Sequence, residues 1–180
     1  MKRLAILILA SALYAQPLVA LELPKPPSGF AWQEIPELKA AFLRPDGWFF
    51  KQENSKGTMA YFITKEDISK GGEFSTGLTV NVFHFKKDSA VEHGQALIEK
   101  MAANNHVQSA SHTVGPFQEF SCQLKNTDAT GTIEMYALTV ANPKTNTLYL
   151  FMFESPEHDW EASWKQGKAI IDSLAIDDEY

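Results

Sequence analysis

Between Thr76 and Phe85 the chain reads TGLTVNVFHF, and polar and apolar positions alternate with a period of two. Leu78, Val80 and Val82 fall on one side of an extended chain, with Thr79, Asn81, Phe83 and Phe85 on the other. Apolar side chains on both sides predict a strand covered on each face rather than half-exposed to water. The segment Thr147 to Glu154 repeats the pattern, with Leu148, Leu150 and Met152 opposite Tyr149, Phe151 and Phe153. Two strands of such similar character are natural neighbours in one sheet.

Around this pair the periodicity predicts further strands at Phe30 to Ile35, Ala40 to Leu43, Trp48 to Gln52 and Met59 to Thr64. Pro45-Asp46-Gly47 and Asn54 to Gly57 supply turn chemistry between them. Phe117 to Leu124, Gly131 to Ala141 and Thr147 to Glu154 read as a meander joined by NTDATG and NPKTN turns. The period changes over Asp88 to Asn104, where Val91, Leu97, Ile98 and Met101 sit at helical spacing behind an S-x-x-E box, Ser89 to Glu92. A second helix is expected to open at Ser155-Pro156 and to carry Trp160, Trp164, Ile171 and Leu174 on one stripe. Lys65 to Glu73 reads as a mobile polar loop, while His106 to Gly115 has no pattern that favours either element. These elements predict an α+β fold, an antiparallel sheet covered by helices on both faces.

The first residues change the picture of where this fold acts. Lys2 and Arg3 precede an apolar run, Leu4 to Leu13, and small residues follow it, which is the make-up of a secretory signal cut after Ala20 or Ala15. The run is about half of the roughly 20 residues that a membrane span needs. Attachment of lipid at the cut requires a cysteine there, and the single cysteine is Cys122. The expected organisation is a signal peptide over 1–20, an extended Pro-rich leader over 21–29 and one domain over 30–180, periplasmic or secreted. Loss of Lys2 and Arg3 takes the net charge from −6 to −8, a poor match for nucleic acid or anionic lipid. One cysteine forms no internal disulfide, so a core rich in aromatic groups must hold the fold, with Cys122 as a buried thiol beside Phe120 and Leu124.

Candidate chemistry adds little. The five histidines, His84, His93, His106, His112 and His158, share no ligand spacing. Neither a G-x-S-x-G nucleophile, nor an HExxH helix, nor a phosphate-cradling glycine loop is present. No cofactor and no catalytic residue is assigned, and the expectation is a non-enzymatic protein. Two groups of residues suit binding. Trp32, Trp48 and Phe50 form an aromatic set near turns, and Lys65, Glu66, Asp67, Lys70 and Glu73 lie on the polar loop. Core filling is the simpler account of the aromatic set, and a plain connector that of the loop.

The order of elements also resembles the PsbP-like family, whose members include the extrinsic photosystem II protein, a Ran-binding nuclear import factor and DcrB-type bacterial envelope proteins. The residues that carry the likeness are Phe42 to Trp48, the TGLTVNVF strand, and the closing run of aromatic strand, Ser-Pro and tryptophan helix ending in IIDSLAI, Ile170 to Ile176. It covers roughly Phe30 to Ile176. The resemblance implies an α/β/α sandwich that works by binding a protein partner, here one in the bacterial envelope, and it transfers no functional residue. The alternatives are a carrier that holds a small apolar ligand beside the sheet, near Trp48 and Phe50, and an enzyme such as a hydrolase with an unrecognised site.

Overall fold

The computed structural model describes residues 23–55, 58–129 and 131–180, so the signal-like segment and three turn positions lie outside the described residues. In chain order the elements are β1 (Phe30–Ile35), β2 (Ala40–Pro45), β3 (Phe49–Ser55), β4 (Thr58–Thr64), β5 (Gly77–His84), α1 (Ala90–Asn104), β6 (Ser109–Val114), β7 (Phe117–Asp128), β8 (Gly131–Asn142), β9 (Thr147–Pro156), α2 (Trp160–Asp172) and β10 (Ala175–Ile176). Seven strands form one antiparallel sheet in the order β3-β4-β5-β9-β8-β7-β6, and β1, β2 and β10 form a separate three-stranded sheet.

The two strands of similar alternation, β5 and β9, are adjacent, as their character predicts. Leu78 lies opposite Phe153, Val80 opposite Phe151 and Val82 opposite Tyr149. These side chains join Leu138, Val140, Trp48, Ile35, Phe42, Trp160 and Ile170 in the larger core cluster. A smaller cluster holds Ile98, Ala102, Cys122, Leu124 and Ala137, and a third holds Ala90, Ala141 and Leu148. Cys122 is buried, and burial pushes its thiol pKa up.

Two glycines set how closely the helices approach the sheet. At Gly94 of α1 an added Cβ would sit 2.8 Å from Leu148 and 3.1 Å from the hydroxyl of Thr139, which itself donates to the Gly94 carbonyl. At Gly167 of α2 it would sit 2.7 Å from the ring of Phe153. Leu148 and Phe153 occupy opposite parities of β9. The Phe153 ring cannot swing aside, because Trp48, Trp160 and Trp164 surround it. Gly167→Ala is therefore expected to lower stability by about 1–2 kcal/mol, the cost of overpacking exceeding the gain of about 1 kcal/mol in helix propensity. A urea midpoint equal to or above that of the parent would refute this reading of the contact.

Several segments depart from the sequence pattern for identifiable reasons. Ser155 and Pro156 do not open the last helix; they extend β9 by pairing with Glu134 and Ile133, and a 3₁₀ turn at Glu157–Asp159 comes before α2. The IIDSLAI run is not all helix. Ser173 ends α2 by donating its hydroxyl to the Ile170 carbonyl (2.7 Å) and accepting the Leu43 amide (2.8 Å), after which Ala175 and Ile176 pair with β2. The patternless stretch before Gly115 contains β6, whose six positions are all exposed, so neither face leaves a hydrophobic imprint. The Lys65–Glu73 loop is tied rather than free. The Glu66 carboxylate accepts the Ser75 hydroxyl (2.7 Å) and the Thr76 amide (3.1 Å), and Asp67 caps a 3₁₀ turn at Ile68–Lys70.

Candidate functional site

β8 presents Tyr136, Leu138 and Val140 on one face, and α2 shields only part of it. Trp164 packs on Tyr136 at 4.8 Å between ring centroids. Beyond that contact the chain leaves the helix, turns at Ser173 and enters β10, so Ile171, Leu174 and Ile176 make a wall beside the sheet rather than a lid over it. The opposite lip is the β6–β7 turn. Gly115 adopts a positive φ of 56°, which only glycine takes at little cost, and Pro116 fixes the exit into β7. Val114 stands at the lip with 53% of its surface exposed. Floor, wall and lip enclose a groove of about 540 Å³, within the range that accommodates a ligand or a peptide segment.

One polar group stands out in it. Glu119 lies opposite His112 on β6 and opposite Val140 on β8, and its side chain lines the groove. Burial pushes its carboxyl pKa up, and the positive form of His112 opposes that shift. Among the described residues the Glu119 carboxylate has no hydrogen bond or ion pair. The contrast within the same sheet is Glu134, which is buried but satisfied. Gln123 donates to it at 2.6 Å and the Lys125 ammonium stands 3.3 Å away. Asp172, the other carboxylate of the groove, pairs with Lys168 at 2.6 Å.

The residues singled out from the sequence lie elsewhere. Trp48 is a core side chain stacked on Phe153 (6.5 Å), and Phe50 is partly buried against Tyr61 (6.4 Å). Neither lines the groove. Trp32 is half-buried and donates its indole N–H to the Pro24 carbonyl at 2.6 Å. Lys65, Lys70 and Glu73 are exposed, Asp67 pairs with Lys70 at 2.9 Å, and Glu66 is engaged as described above. Ser69 and Lys70 together hold the Asp67 pKa below its ordinary value. Groove residues went unmarked in the sequence because they come from three separated segments, and only the β7–β8 pairing places Glu119 among apolar neighbours.

The histidines are dispersed. His84 meets Thr147 (3.0 Å) and the ring of Tyr180, while His93 stacks on Phe85 at 4.5 Å. Among the described residues no three His, Cys, Asp or Glu side chains group as metal ligands do, and no helix is long and apolar enough to cross a membrane.

A seven-stranded antiparallel sheet with two helices and a small accessory sheet defines an α+β protein of PsbP-like fold. Its solved counterparts include the cyanobacterial PsbP protein CyanoP from Synechocystis sp. PCC 6803, at a TM-score of 0.56 and 11% identity over 84% of this chain and 95% of that one. LpqN of Mycobacterium tuberculosis, described as involved in cell envelope biogenesis, matches at 0.50 and 10% identity over 77% of this chain and 83% of that one. The Ran-binding protein Mog1p of Saccharomyces cerevisiae matches at 0.48 and 11% identity over 82% and 95%. No protein-family model and no curated protein matches the sequence. At these identities the likeness is one of fold.

Proposed function

We propose that this chain is an exported, non-enzymatic PsbP-like domain that binds a protein partner in the bacterial envelope. The observation that carries the reading is the groove between β10 and the β6–β7 turn, an apolar floor with an exposed valine at its lip. Export is supported by Lys2, Arg3 and the apolar run behind them, with residues 1–20 as signal, 21–29 as leader and 30–180 as the domain. An envelope role is supported by analogy with LpqN. On this reading the helices flank the large sheet as an α/β/α sandwich, which the opposite parities of Leu148 beneath α1 and Phe153 beneath α2 support. Trp32 and the Lys65–Glu73 loop would form a secondary surface, with Trp48 and Phe50 serving the core behind it.

The test places a photo-reactive side chain at Val114 in one variant and at Lys70 in another, each expressed with its full leader in bacteria. The expected result is one discrete adduct from position 114 that disappears when Ala175→Trp fills the groove. An adduct from position 70 alone would move the interface to the loop. No adduct from either, with a small molecule retained in native mass spectrometry, would replace the reading with that of an apolar-ligand carrier.

A further inference from the structure

Glu119 is the feature that the reading above does not use. A carboxylate half-removed from water, beside Leu138 and Val140, pays for lost hydration unless a donor or a positive charge meets it. At Glu134, on the next strand, the molecule meets this need from within, through Lys125 and Gln123. At Glu119 it does not. The facing groups are His112 across the β6–β7 pair, Val140 across the β7–β8 pair, and Asp172 at the groove's other side. His112 is exposed and lies at no bonding distance, and Asp172 is already engaged by Lys168. The groove floor is thus apolar along β8 and carries a carboxylate beside it on β7.

We infer that the groove is a receptor for a lysine or arginine side chain carried on an apolar stretch of a partner protein, with the cation held by Glu119 and its aliphatic stem laid over Leu138 and Val140. The inference rests on the reading of the groove as a protein-binding site. Long basic side chains match this geometry, since their methylene stems cover apolar surface while the charged end seeks a carboxylate. Charge complementarity selects against acidic segments, which would set a second carboxylate beside that of Glu119. A neutral apolar segment could fill the floor but would leave the half-buried carboxylate without a partner.

Three capped tripeptides that differ only at their centre test this directly: acetyl-Leu-Lys-Leu-amide, its norleucine counterpart, and its glutamate counterpart. Methyl resonances of Leu138 and Val140 report binding to the full mature chain. The lysine peptide is expected to bind about tenfold or more tightly than the norleucine peptide, the worth of a charge-assisted hydrogen bond at a partly buried carboxylate. The glutamate peptide should be weakest of the three. Glu119→Gln should erase the preference for lysine and, by removing the carboxylate that a neutral side chain leaves without a partner, bind the norleucine peptide at least as tightly as the parent does, whereas Asp172→Asn should reduce the lysine preference only slightly. Equal affinity for lysine and norleucine on the parent protein overturns the inference, and that comparison needs no variant to fold. The two readings fail separately. If the adduct at position 114 forms but Glu119→Gln neither weakens it nor alters peptide preference, the partner site stands and the basic anchor falls. If the lysine preference is present but position 114 captures nothing, the anchor stands and the envelope partner falls.

Discussion

Phe153→Ala should destabilise the protein by about 4 kcal/mol, at the upper end of what a large-to-small change in a core produces. Phe153 is fully buried, and its ring lies 6.5 Å from Trp48, 5.8 Å from Trp160 and 5.7 Å from Trp164, measured between centroids. Its strand partners are Leu78 and Tyr136, and the backbone of Gly167 closes over it. The surroundings come from β3's approach, two other strands and a helix, so no single neighbour can move in to fill the void. Transfer and cavity costs both apply in full. Urea unfolding followed by tryptophan fluorescence checks this, with the midpoint falling and the slope unchanged. A loss below about 1.5 kcal/mol, the range of volume-conserving swaps, would mean that the aromatic cluster is not the keystone of the core.

Gly77→Ala should cost about 3 kcal/mol, for a reason that involves no cavity. An added Cβ at this position would run into the Ile63 carbonyl oxygen and lie 2.9 Å from both Thr64 Cα and the Phe74 ring. Two of those three obstacles are backbone, and backbone in a paired strand has no rotamer to change. Gly77 pairs with Thr64 on one side and Glu154 on the other, so any shift strains both ladders at once. Hydrogen exchange would localise the effect to the Lys65 amide, which donates to the Thr76 carbonyl. Unchanged exchange and stability in the alanine variant would show that the β4–β5 ladder ends short of this residue.

The sequence pattern carries the central architecture because burial imposes it. Alternation over Thr76 to Phe85 and Thr147 to Glu154 places the correct side chains on each face, and Ser89 caps α1 by accepting the Glu92 amide. What the pattern misses is held by other forces. β6 is an edge strand whose six positions are all exposed, and it is organised chiefly by its ladder to β7. β10 exists because Ser173 is bonded at once to α2 and to β2, a tertiary tie that no local preference announces. Proline after serine reads as a helix start, yet pairing with β8 keeps Ser155-Pro156 in the strand. Trp48 and Phe50 attract notice as aromatic residues near a turn, and the packed interior claims the first and much of the second. The groove combines residues from around positions 114–119, 136–140 and 171–176, so its chemistry appears only once the strands are in register.

The chain also contains its own clock for breathing motions. With a single thiol, enclosed beneath α1, every reaction of a soluble disulfide reagent with the native protein must wait until Cys122 is uncovered. The raised thiol pKa lowers the reactive fraction still further while the residue stays enclosed. Labelling rates therefore measure how often the α1 side of the sheet opens, without an engineered probe or competing cysteines to confuse the signal. Followed with and without a bound partner, the same rate would reveal whether events at the groove are felt on this other core cluster.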